Sequence, residues 1–214
     1  MKKKGIFLPQ ETNETCGISC MLMALTALGK IRKPKPAMGD EKSAEAVFYE
    51  MYGCKATKGT LGSAIAYALS CRRLDVELWH ESSRLLKNRG GYYSSALHEE
   101  MLREHMAYIG RGGFRVCAGM PINADRMINA LAQDRLLIVQ CLIEGDADGM
   151  HDHVLHWILV FDYRDGEFLA YDPLYIPSSR KSPSYIRIAR DTMQSLMKTP
   201  LGASAISVGE KASK

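Results

Sequence analysis

Four residues of this 214-residue chain have the types and order that a thiol-based acyl-transfer site requires: Gln10, Cys16, His156 and Asp172. A thiolate attacks a carbonyl carbon, an imidazole carries the proton and a carboxylate orients the imidazole. A Gln amide, together with the cysteine's own N–H, donates to the oxyanion. Each residue also has a plainer reading. A lone cysteine at a helix start is usually packing. A histidine on an apolar strand is usually a satisfied core residue, and Asp-Pro commonly ends a strand. Gln10 is of interest only because it stands six residues before Cys16. The set, rather than any member, points to chemistry.

The surrounding pattern supplies elements to position them. Residues 16 to 28 are apolar almost all round, which predicts a buried helix. Gly29 closes it, and Pro34 and Pro36 prevent its restart. Cys16 then lies in the first turn, where free N–H groups and the helix dipole favour a thiolate. His156 heads an apolar strand, and residues 167 to 171 form the next, with Arg164-Asp165-Gly166 as the turn between them. A hairpin with that turn puts residues near 172 opposite 156 to 158, within reach of the imidazole. Residues 5 to 10 read as extended and carry Gln10 toward the cysteine.

Other segments read as scaffold. Helices are expected over 41 to 52, with Ala44, Val47, Phe48 and Met51 inward, and over 60 to 72, with Leu61, Ile65, Ala68 and Leu69 inside. A third is expected over 94 to 108, anchored by Leu97, Met101 and Leu102, and a fourth over 123 to 133, capped by Asn123. Strands are expected over 75 to 79, 136 to 143 and, last, 185 to 189. After about residue 200 the chain is small and polar and is expected to fray. Helices first and an antiparallel sheet second predict an α+β class, in a single domain spanning 1 to 214 with its core at about 6 to 190.

Composition narrows the function classes. With 46% hydrophobic and 24% charged residues the chain is not disordered, and a formal charge of +4 gives no reason to expect a nucleic-acid partner. The lysines at positions 2 to 4 and the basic stretch at 30 to 35 read as solvated ends and loops. Six scattered cysteines with no paired CxxC motifs suit free thiols in a reducing compartment. Cys20, Cys54, Cys71, Cys117 and Cys141 read as structural. The apolar piece at 5 to 8 is too short for a signal peptide, and no stretch approaches a membrane span. A cytoplasmic, bacterial-type domain is expected; export by a dedicated secretion system stays open, and nothing indicates an oligomeric state. His151, Asp152 and His153 stand close to His156, and imidazole with carboxylate suits zinc. They share one junction and lack a second ligand segment. They read instead as the mouth of a cleft, with residues 144 to 149 as a mobile lip; no metal or cofactor is assigned.

The stretch Gln10-Glu11-Thr12-Asn13-Glu14-Thr15-Cys16-Gly17-Ile18-Ser19-Cys20-Met21-Leu22-Met23 resembles the first motif of the bacteriocin-leader-processing peptidases, cysteine peptidase family thirty-nine of the papain-like clan. His156-Trp157-Ile158-Leu159-Val160 resembles the second motif and Tyr171-Asp172-Pro173 the third, in matching order across residues 6 to about 176. Ile18 stands where that family usually has Pro or a similar residue. Gly59-Thr60-Leu61-Gly62, the segment 74 to 79 and the helix at 94 to 108 fit a stand-alone branch rather than the transporter-fused domain. The resemblance implies a papain-like fold with Cys16 as nucleophile, His156 as base, Asp172 as orienter and Gln10 in the oxyanion hole. It also implies a peptide or protein substrate, cleaved at a peptide or amide bond through an acyl-enzyme. Recognition of double-glycine leaders is not carried over. Glutamine deamidation or acyl transfer would use the same four residues. The competing classes are an inactive peptide-binding module and a zinc hydrolase built on His151, His153 and His156; thiol against chelator sensitivity separates the last from the thiol enzyme.

Overall fold

The apolar run after Cys16 folds as its composition demands. In the computed structural model, which describes residues 6–35, 42–54, 57–81, 86–88, 91–144, 153–174 and 185–211, helix α1 (Cys16–Ala27) is buried on all sides from Cys16 to Leu25. It is followed by α2 (Ala44–Tyr52), α3 (Gly62–Ser70), β1 (Leu74–His80), α4 (Ser95–Arg111) and β2 (Arg115–Ala118). Next come α5 (Ala124–Ala132), β3 (Leu136–Glu144), β4 (His153–Arg164), β5 (Glu167–Tyr171), β6 (Ile186–Ala189), α6 (Arg190–Leu196) and β7 (Ser204–Glu210). Ser43, Ser94 and Asn123 cap α2, α4 and α5 by accepting backbone N–H bonds from Ala46, Leu97 and Arg126.

Among the described residues one sheet of seven strands, in the order β2-β1-β7-β3-β4-β5-β6, carries the site, and the class is α+β as expected. Both faces of the sheet are covered. Along β3, Leu136 and Ile138 join the core beneath α1 and α3. Leu137, Val139 and Cys141, at the odd positions, join the core beneath α5 and α6. The strand reads as a continuous apolar run because alternate residues enter two different cores. The β4–β5 turn has Asp165 at φ 54° and Gly166 at φ 81°. This left-handed pair matches the twist of a tight hairpin.

Several expectations need correction. Residues 201–211 do not fray: β7 lies between β1 and β3, and only Glu210 of its seven residues is exposed. Its small residues mark close packing rather than disorder, with Ile206 and Val208 entering one core and Ala205 the other. The 185 to 189 expectation corresponds to β6, which is therefore not the last strand. The sheet is not wholly antiparallel, since β1 and β2 pair parallel, and these strands lie among the helices in the chain rather than after them. Residues 6 to 10 belong to no strand.

Two helix faces also differ. In α2, Val47 and Met51 are 39% and 58% exposed, whereas Glu45 is 5% exposed. Ala44 and Phe48 pack on the core as expected, and Glu45 rather than Val47 or Met51 is the deeply buried residue of this helix. In α4, Met101 is buried, but its deep neighbour is His105, one turn on, and Leu102 is at the surface. Among the described residues no helix is long and apolar enough to cross a membrane.

Candidate active site

The first turn of α1 is shaped by what surrounds it. Thr15 precedes it, 4% exposed, with its hydroxyl donating to Thr12 O at 3.0 Å and accepting from Thr12 N at 3.2 Å. The loop before Cys16 is thereby folded back on itself. Glu45 of α2 holds the same region from the other side. One carboxylate oxygen accepts from Glu11 N at 2.7 Å, the other from Ser19 Oγ at 2.9 Å. Burial raises the Glu45 pKa against the opposing bonds from Glu11, Thr15 and Ser19.

Gly17 is required by proximity. A Cβ there would stand 2.9 Å from Thr60 Cβ, 3.0 Å from Ile65 Cδ1 and 3.1 Å from Trp157 Cδ1. The absence of a side chain lets the head of α1 press against β4 and the start of α3. Trp157 fixes that junction by donating its indole N–H to Thr60 O at 3.0 Å.

Across the hairpin, the last regular β4–β5 pair is Leu159 with Tyr171, and Asp172 follows immediately. His156 Nε2 donates to Asp172 Oδ1 at 2.7 Å, with the imidazole 3% exposed. The other oxygen-bonded partner of Asp172 Oδ1 is the backbone N–H of Leu174, at 2.9 Å, which holds the carboxylate in place. Burial disfavours the imidazolium. Hydrogen bonds to Asp172 and to the Cys16 thiol, with the charges of the same two groups, outweigh it and raise the His156 pKa to about 9. Since Nε2 is engaged by Asp172, Nδ1 is the nitrogen left for Cys16. Cys16 and Asp172 therefore both act on the His156 imidazole.

Gln10 is joined to this group through its backbone. Its N–H donates to Pro173 O at 3.1 Å, seating it beside the Asp172 segment. Its side-chain Nε2 donates to Thr12 O at 2.8 Å, and its Oε1 is buried without a partner among the described residues. One amide hydrogen remains for another acceptor.

The other cysteines contrast with Cys16. Cys20 donates its thiol to Trp157 O at 3.3 Å, and burial, then the neighbouring Cys16 and Asp172, push its pKa well up. Burial, then Asp172, pushes Cys141 up to about 12. Burial also raises Cys54. All three remain protonated thiols at neutral pH. His151, Asp152 and the expected lip at 145 to 149 lie outside the described residues, while His153 is described only as the backbone start of β4, paired with Glu144. Among the described residues no three potential metal ligands gather.

A cavity of about 560 Å³ opens beside Cys16. Thr60, Leu61 and Trp157 line it near the thiol's neighbours, Tyr92 and Tyr93 form part of its wall, and His80 and His105 line it as well. Sequence reasoning missed Glu45, Thr60 and these two histidines. The helical spacing of His105 from Met101 was the available signal for one of them. Glu45 gave none, because a carboxylate in a helix ordinarily faces water.

No protein-family model matches the chain, and no curated protein matches it. Among solved structures, a crystal structure from Bacillus anthracis provisionally described as a C39-like peptidase aligns over 100% of this chain and 98% of its own. The identity is 12% and the TM-score 0.43.

Proposed function

We propose that this chain is a thiol hydrolase that cleaves a peptide or amide bond through an acyl-enzyme on Cys16. The observation that carries the reading is the His156 imidazole, bonded to Asp172 at 2.7 Å and raised to about 9 by Asp172 and Cys16 together. An imidazolium beside the nucleophilic sulfur is the partner that an ion-paired thiolate requires.

In the proposed reaction the Cys16 thiolate adds to the carbonyl carbon and its electrons move onto oxygen. The Cys16 backbone N–H at the open end of α1 and the remaining Gln10 amide hydrogen donate to that oxyanion. His156 passes its proton to the leaving nitrogen as the C–N bond breaks, leaving a thioester. Water then attacks, His156 takes its proton, and the acid is released with the thiolate and imidazolium restored. Asp172 keeps the imidazole in the tautomer and orientation both steps need.

The test is alkylation of each cysteine by slight excess iodoacetamide from pH 5 to 9, read by peptide mass mapping, together with cleavage of a peptide mixture. Cys16 is expected to react selectively below pH 7, to lose that selectivity in His156→Ala, and to be indispensable for cleavage. Reaction of Cys16 no faster than the exposed Cys71 overturns the reading.

A further inference from the structure

The cavity beside Cys16 contains buried polar groups that the proposed chemistry does not use. His80 ends β1 and His105 projects from α4, and they are 3% and 1% exposed. Their rings meet edge to face with centroids 5.2 Å apart. Among the described residues, His80 Nε2 and both ring nitrogens of His105 have no hydrogen-bond partner, and neither has Thr60 Oγ1. All three residues line the cavity that also contains Cys16. Buried polar atoms are almost always paired in folded proteins, so several orphans on one cavity need an explanation.

We propose that this part of the cavity is a specificity pocket for the carboxamide of a glutamine or asparagine side chain of the substrate, held by His80 and His105. The proposal rests on the hydrolase reading, since it assigns the substrate of the same site. Three features favour a carboxamide. A neutral imidazole offers one donor and one acceptor, and a carboxamide presents both in return. A carboxylate would offer acceptors only and an ammonium donors only, leaving orphans in either case.

Apart from Cys16, the buried lining contains no charge among the described residues to balance an ionised head. The other charged lining residues described are Glu14, half-buried and accepting from the Tyr49 hydroxyl at 2.9 Å, and Lys58, which is exposed. Burial, with the neighbouring His80 for His105, lowers the two histidines to about 4 and about 3, so both are neutral at pH 7. Finally, Leu61, Leu97 and Met101 supply apolar wall for the methylene stem of such a side chain.

The test separates binding from chemistry. Protein carrying Cys16→Ala is titrated with pools of acetylated, amidated hexapeptides in which one position at a time is fixed as Gln, Asn, Glu, Lys or Leu. Binding is read by calorimetry and by the side-chain 15N signals of the histidines. At one position the Gln or Asn pools are expected to bind at least tenfold tighter than the Glu, Lys and Leu pools and to shift both His80 and His105. His105→Leu is expected to narrow the Gln-to-Leu ratio below threefold; if that variant does not fold, by circular dichroism, His80→Asn serves in its place and must lower the ratio.

Equal binding of the Leu and Gln pools, no binding of any pool, or an unchanged ratio in the folded variant overturns the pocket assignment. A reactive Cys16 with no amide preference sinks the pocket and leaves the hydrolase reading. Amide-selective binding with an unreactive Cys16 does the reverse.

Discussion

At the scale of single residues, the imidazole of His156 decides most of what can be measured. Its folded pKa of about 9 lies above the unfolded value of about 6.5. The stability it contributes is therefore fully present below about pH 6.5 and lost as pH rises through about 9. At roughly 1.4 kcal/mol per pKa unit, the loss is on the order of 3 kcal/mol. Urea midpoints between pH 6 and 10 should show this decline in the native protein and a much smaller one in Asp172→Asn. The same titration removes the imidazolium, so kcat/KM for any cleaved peptide should fall above about pH 9. Gln10→Ala should lower kcat about 10²- to 10³-fold, the cost of one oxyanion donor, while iodoacetamide still alkylates Cys16 selectively. Cys20→Ala should leave cleavage measurable, because the thiol it removes is a protonated packing group bonded to Trp157 O.

At the scale of elements, the site depends on two close approaches made without any catalytic group. The head of α1 meets Thr60, Ile65 and Trp157 across the missing side chain of Gly17. Gly17→Ala should overpack this junction, cost about 1–3 kcal/mol in urea denaturation, and reduce Cys16 reactivity by displacing the helix. On the other side, α2 reaches the loop before Cys16 through two polar side chains, Glu45 and Tyr49, the latter donating to Glu14 at 2.9 Å. Glu45→Ala leaves Glu11 N and Ser19 Oγ without their acceptor and should cost about 1–3 kcal/mol. Glu45→Gln, which keeps an acceptor oxygen, should recover most of that loss. These expectations follow from contacts between segments far apart in the chain, which is why an apolar-stripe reading of α2 chose Val47 and Met51 and passed over Glu45.

At the scale of the whole molecule, the sheet is held together at its centre by the segment that composition had marked as a tail. β7 bridges β1 to β3, and Arg135 fastens the three strands. Its guanidinium donates to Ser207 Oγ at 2.6 Å, to Asp75 Oδ2 at 2.6 Å and to the carbonyls of Asp75 and Ser207 at 3.1 Å each. A chain ending at residue 200 would leave β1–β2 separate from β3 to β6, with Leu78, Leu136 and Ile138 uncovered. It should lack the cooperative thermal transition that the full chain shows by circular dichroism.

Local pattern alone was enough to place α1, the β4–β5 hairpin and the Asn123 cap, and with them the proximity of His156 to Asp172. Those features depend on helical and strand periodicity and on a turn whose residues accept left-handed backbone, all of which act over a few residues. The tertiary structure alone decided that a run of small residues becomes a central strand, that Glu45 supports the Cys16 loop, and that His80 and His105 meet in the cavity that Cys16 also lines. Each of these depends on what lies across the fold, and burial by distant neighbours leaves no period in the sequence by which to read it.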